Sequence, residues 1–359
     1  MKIPRRTFIG TGLAAPLILH AADKAGKKAP ILGSGDWTFE WVGDWGKLPS
    51  DIKWGNTHNV AEDSQGNIYV HHTVYADSEI PDSMVVYDPK GRFIRSWGKE
   101  YKGVAHGMWL HNEGKEEFLY LTVNAANPRM HLDPGELPAT IVKTTLKGEI
   151  VWKVEGPPDI DAYRVPTGTP PAIPPYNPTN IAIAPNGDLY VADGYGSYYI
   201  NHYNHEGEYI NTYGGRGSDP GHFKEPHGIW VDNRTSNPIL TVADRRNNRL
   251  QRLTLNGQFI EFVTGFRLPC HFHEQKGNVV IPDLQTRVTL IDKNNEIILH
   301  LGDPTPDGHP NPPRNTADRA SFVPGQFVCP HGACFDHEGN IFVVEWVEMG
   351  RVTKLRKVA

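Results

Sequence analysis

The chain has 359 residues, 38% hydrophobic and 10% aromatic, which is enough to bury one large core without requiring two domains. Its 36 glycines and 30 prolines, beside an ordinary charged fraction of 21%, point to many tight turns rather than to disorder. The formal net charge of −5 becomes more negative still if Lys2, Arg5 and Arg6 are removed on processing, which argues against a nucleic-acid partner.

Residues 1–22 read as an address rather than as fold. Arg5-Arg6-Thr7-Phe8-Ile9 is followed by a mildly apolar run and then by the small pair Ala21-Ala22, the layout of a bacterial twin-arginine export signal. The run is too short to span a bilayer, so no transmembrane segment is expected in the mature chain. A periplasmic or secreted location follows, and residues 23–36 are expected to be linker.

From residue 37 onward the chain repeats one grammar. A first strand opens on a small or polar residue, a turn such as Pro185-Asn186-Gly187-Asp188 leads to a second strand, a third follows, and an aromatic-rich fourth closes the unit. Five complete units fall at 54–98, 104–156, 177–215, 223–265 and 267–303, and a sixth begins at Phe327. The sixth runs out of chain after its third strand. Its missing outer strand is supplied by Trp37-Thr38-Phe39-Glu40-Trp41-Val42, which closes a ring and protects the sheet edges. The expected fold is therefore all-β: a six-bladed β-propeller over 37–359, closed by an N-terminal strand in the last blade. A sandwich would not place a unit's missing strand at the opposite terminus.

In such a blade the start of the first strand and the loop after the second share one face, around the central channel. Eight positions before the first-turn glycine stand His58, His106, Thr179 and His331 in blades one, two, three and six. In blade four Glu225-Pro226-His227-Gly228 aligns with Cys329-Pro330-His331-Gly332, while blade five offers Cys270 or His271. His106, His227 and His331 thus lie on alternate blades and are expected to converge with three-fold symmetry, a set suited to a divalent metal with an open position. His58 and His271 are candidates for positions behind that shell. Tyr195, in Asp193-Gly194-Tyr195-Gly196, and Arg245, in Asp244-Arg245-Arg246-Asn247, sit in the matching loops of blades three and four. A tyrosine beside a cation and an arginine is a usable base. A plainer reading has Arg245 paired with Asp193 or Asp244.

The blade grammar resembles that of NHL repeats. The segments Pro178-Thr179-Asn180-Ile181-Ala182-Ile183, Val191-Ala192-Asp193-Gly194-Tyr195, Pro226-His227-Gly228, Val242-Ala243-Asp244-Arg245 and Pro330-His331-Gly332 resemble, in order and spacing, the peptidyl-α-hydroxyglycine α-amidating lyases. The resemblance runs from about residue 104 to 352 and implies zinc on His106, His227 and His331, a base at Tyr195 and a supporting arginine at Arg245. It also marks departures. Ser197-Tyr198-Tyr199 stands where the family has an Asn-Ser-Arg stretch, and Gly332 stands where it has an acidic residue that helps hold calcium, so a structural calcium is not carried over. Loops at 124–139, 157–176 and 303–322 are long and are expected to rise over the metal face, where specificity resides.

The function expected is an exported, metal-dependent lyase that cleaves a C–N or C–O bond next to a hydroxyl, on a small-molecule, peptide or glycan substrate. The alternative is a non-catalytic propeller binding a protein or glycan through aromatics such as Tyr163, Tyr176, Tyr198, Tyr199 and Trp346. A sugar-lactone hydrolase would need acidic and amide ligands, which three histidines match less well. Cys270, Cys329 and Cys334 permit at most one intramolecular disulfide.

Overall fold

In blade four burial falls from the first strand to the fourth, a gradient that radial packing of sheets explains. Pro226–Asp232, the first strand of blade four, is buried throughout, whereas the fourth, Phe259–Thr264, has no buried residue. In the computed structural model, which describes residues 19–22, 28–125, 138–164, 176–304, 314 and 319–358, the strands form six antiparallel sheets. Five are meanders of four sequential strands. Their first strands pack around the axis, and inter-blade cores such as Ile229, Val231 and Val242 against Ala182, Tyr190 and Ala192 hold neighbouring blades together.

The sixth sheet joins the two ends of the chain. Arg351–Lys357 pairs with Trp37–Val42 in the register Leu355 to Trp41 and Lys357 to Phe39. Phe39 and Trp41 point inward to Phe327, Leu301 and Leu355, so the expected ring closure is present. The stretch expected as linker behaves differently. Lys28–Ser34 is a strand that pairs outside Trp37–Val42, with Leu32 opposite Phe39 and buried in the same core. Of this strand's described side chains only Leu32 is buried, with Ile31 beside it partly so, too little to register as a strand in the sequence but enough once a sheet edge is available. A short outer strand, Leu19–Ala22, pairs with it in turn. The rest of the expected export signal lies outside the described residues, as do most of the three long loops.

Among the described residues no helix is long and apolar enough to cross a membrane. Cys270, Cys329 and Cys334 are all buried and form no disulfide.

Candidate metal centre

Four histidines enter the channel at interruptions in their own strands. The pairing of first and second strands shifts register between Ala105 and Met108, Pro226 and Ile229, Pro330 and Gly332, and Thr57 and Asn59. These bulges lie at His106, His227, His331 and His58, and an extra residue in a strand re-aims its side chain. The glycine that follows three of them has a separate role. A Cβ on Gly107, Gly228 or Gly332 would lie 2.5–2.6 Å from the backbone oxygen of Thr179, Cys270 or His58, so only glycine lets the next blade approach this closely. Gly228→Ala is therefore expected to lower stability by about 1–3 kcal/mol, because the obstructing atoms are backbone and cannot swing aside. Denaturant unfolding of the variant against the parent checks this.

That close approach fixes the imidazoles. His106 Nδ1 lies 2.6 Å from Thr179 O, His227 Nδ1 2.8 Å from Cys270 O, and His331 Nδ1 2.8 Å from His58 O. A carbonyl can only accept, so each Nδ1 carries the proton and each Nε2 presents a lone pair to the axis. The same relation identifies the blade-five counterpart of Thr179 and His58 as Cys270. His271 stands one step deeper, with Nδ1 3.0 Å from Asn180 Nδ2 and 3.5 Å from Asn59 Nδ2.

The ring centroids of His106, His227 and His331 are 4.7–5.1 Å apart, nearly equilateral. Tyr195 Oη sits 3.1 Å from His106 Nε2 and 3.2 Å from His227 Nε2. It has one proton for two acceptors. His331 Nε2 and both nitrogens of His58 have no hydrogen-bond partner among the described residues. Burial, reinforced by the neighbouring histidines or Arg245, holds His58, His227 and His331 well below the usual imidazole range, and burial brings His106 to about 3. A buried cluster of lone pairs that resists protonation is short of a cation, and this donor set fits a metal ion. The ligand atoms of His58, His106 and His331 lie within 4.8 Å of one another, as do those of His227, Cys270 and His331. Either group could hold a metal, and His331 belongs to both.

Arg245 reaches the same centre. Its Nη2 donates to Tyr195 Oη at 3.3 Å and its Nε to Glu225 Oε1 at 2.7 Å. Glu225 also receives Arg246, and Asp244 is bound by Arg249, so the plainer alternative, Arg245 paired with Asp193 or Asp244, gives way to pairing with Glu225. The sequence signal was at hand in Glu225-Pro226-His227, but linking it to Arg245 requires the turn: Glu225 adopts a φ of 64° and accepts the Arg245 N–H. Burial opposes the charge of Arg245, yet Tyr195 and Glu225 outweigh it and keep the guanidinium protonated. Burial raises the Tyr195 phenol above its ordinary value and Arg245 pulls it back. A cavity of about 630 Å³ opens beside Tyr195, lined by Tyr198, Arg216, Lys224, Glu225 and Arg246.

The aromatics considered for a binding surface are already engaged. Arg216 lies 3.8 Å over Tyr198, Arg314 lies 3.3 Å over Trp346, and Tyr163 donates to Asp193 while packing on Tyr176 and Tyr199.

The molecule is thus a six-bladed propeller with a histidine-rich centre on its axis. No family model matches the chain. Its sequence is 25% identical over 252 residues to the peptidyl-glycine alpha-amidating monooxygenase of Mus musculus, covering 61% of this chain and 23% of that protein. It is 26% identical over 241 residues to the peptidyl-alpha-hydroxyglycine alpha-amidating lyase 1 of Drosophila melanogaster, covering 58% of this chain and 40% of that one. The chain is a distant relative of these amidating proteins and spans less than half of their length. Among solved structures, virginiamycin B lyase from Staphylococcus aureus superposes with a TM-score of 0.52 at 14% identity, covering 89% of this chain and all of that one. A gluconolactonase from Xanthomonas campestris gives 0.52 at 11%, covering 96% and 99%. These two likenesses show the shared fold alone.

Proposed function

We propose that the protein is an exported zinc-dependent lyase acting on a carbon that bears both a hydroxyl and a leaving nitrogen or oxygen, as in a peptidyl-α-hydroxyglycine. The observation that carries the reading is the buried set of Nε2 lone pairs, pinned through Nδ1 to backbone carbonyls and joined by a single phenol and a single arginine. His106, His227 and His331 would hold the ion, which supplies Lewis acidity to a substrate hydroxyl. Tyr195 takes the hydroxyl proton. The oxygen's electron pair then forms the carbonyl, the C–N bond breaks, and the departing nitrogen keeps the C–N bonding pair and receives the proton that Tyr195 took up. For a peptidyl-α-hydroxyglycine the products are a peptide amide and glyoxylate. Arg245, held by Glu225, stabilises the phenolate form in which Tyr195 can accept that proton. The distant kinship with amidating proteins supports the choice of reaction, and the paired arginines Arg5-Arg6 support export.

The test combines elemental analysis of the purified chain with glyoxylate release from a peptidyl-α-hydroxyglycine. We expect one equivalent of zinc and turnover in the parent, and loss of both in His227→Ala. A metal-free parent, or full turnover in His227→Ala, would overturn the proposal.

A further inference from the structure

We propose that His58 is itself a metal ligand, so that the centre is built from four histidines on blades one, two, four and six. The inference rests on the metal-centre reading above and changes its ligand set.

Three observations converge on His58. Its strand carries the same register shift as those of the other three histidines, a shift that blade five also shows between Pro269 and His273. Its ring is 3% exposed and lies 4.7 Å from His106 and 4.8 Å from His331, centroid to centroid. The trio of ligand atoms that includes His106 and His331 is completed by His58. The other two odd-blade residues at this level are spoken for: Thr179 Oγ1 bonds Ala192 O and Pro226 O, and Cys270 Sγ bonds Leu268 O and receives Arg245. Of these three residues, only His58 has its whole polar side-chain complement unpartnered among the described residues, and a buried polar group in that state requires an unseen partner.

His58 also differs from the other three in a way that bears on chemistry. Their Nδ1 atoms are anchored to carbonyls; neither nitrogen of His58 is. It is the one ligand able to leave and return, which reconciles four protein ligands with the open position that a substrate hydroxyl needs.

The experiment uses the full chain stripped of metal and titrated with Co2+, read by visible absorption. The parent is expected to bind Co2+ with the intense bands of a four-coordinate nitrogen site. His58→Ala and His58→Gln should weaken binding by about 100-fold or more, since even residues behind a ligand cost 10–100-fold, and should diminish the bands. Added imidazole should restore them in His58→Ala, which a purely structural role for His58 does not provide. Circular dichroism identifies whichever variant remains folded. Unchanged affinity and spectrum in the folded His58 variant, with binding abolished in His227→Ala, overturns this inference and leaves the metal centre intact. A sulfur-to-cobalt charge-transfer band that disappears in Cys270→Ser, with His58 variants unaffected, also overturns it and assigns the fourth ligand to Cys270. Absence of Co2+ binding in the parent overturns the metal-centre reading as well.

Discussion

Removal of residues 28–46 is expected to abolish cooperative folding. The deletion strips the outer edge of Arg351–Lys357 and takes Leu32, Phe39 and Trp41 out of a core shared with blade five. Each is 6% exposed or less, and full burial of such a side chain stabilises by about 1.5–3 kcal/mol. Together they account for on the order of 5–10 kcal/mol, comparable to the whole stability of an ordinary domain. The ion pair of Arg356 with Glu40 adds little at the surface. Deleting only 28–33 should give an intermediate loss, because Leu32 goes while Phe39 and Trp41 remain. Truncation up to residue 27 leaves the Leu32 strand in place and should shift the melting temperature little. Thermal unfolding of the three variants orders them. Equal melting temperatures for the parent and the 28–46 deletion would falsify closure of the ring by the N-terminal strands.

Tyr195→Phe is expected to lower kcat by about 10²–10⁴-fold with the fold and metal content retained, the range that loss of a positioned base commands. The ring stays and only the oxygen goes, so its centroid contacts at 5.0 Å to His106 and 5.6 Å to His227 survive. What is lost is the one group that bridges two Nε2 atoms and the Arg245 guanidinium. KM should change less than kcat, since the proton is taken in the transition state rather than on binding. With burial raising the phenol's pKa, activity should climb with pH through the neutral range in the parent, and that dependence should vanish in the variant. A variant with parental kcat and an unchanged pH profile would remove Tyr195 from the chemistry.

The relation between these two outcomes and the primary structure is uneven. The repeat grammar is local: turns such as Pro185-Asn186-Gly187-Asp188 and strands of alternating or continuous apolar residues are written residue by residue, so blade count, order and the closing strand were legible. The convergence of His106, His227 and His331 was legible for the same reason, because equal positions in equal units must lie at equal heights around an axis. The strand at Lys28–Ser34 was not, since it carries one buried apolar side chain, and its pairing is defined by an edge that exists only after the ring closes.

The channel chemistry shows the same division. That histidines stand at blade starts was determined by the sequence alone. That their Nε2 atoms face inward was decided by the tertiary structure, because the carbonyls of Thr179, Cys270 and His58 belong to neighbouring blades and are positioned by inter-blade packing. The partner of Arg245 was likewise settled by a left-handed residue at Glu225 rather than by spacing to Asp193 or Asp244. The sequence by itself determined a ring of six blades and which residues reach its axis. The tertiary structure alone decided which atoms of those residues meet, because hydrogen-bond direction and tautomer depend on groups from adjacent blades that no local pattern encodes.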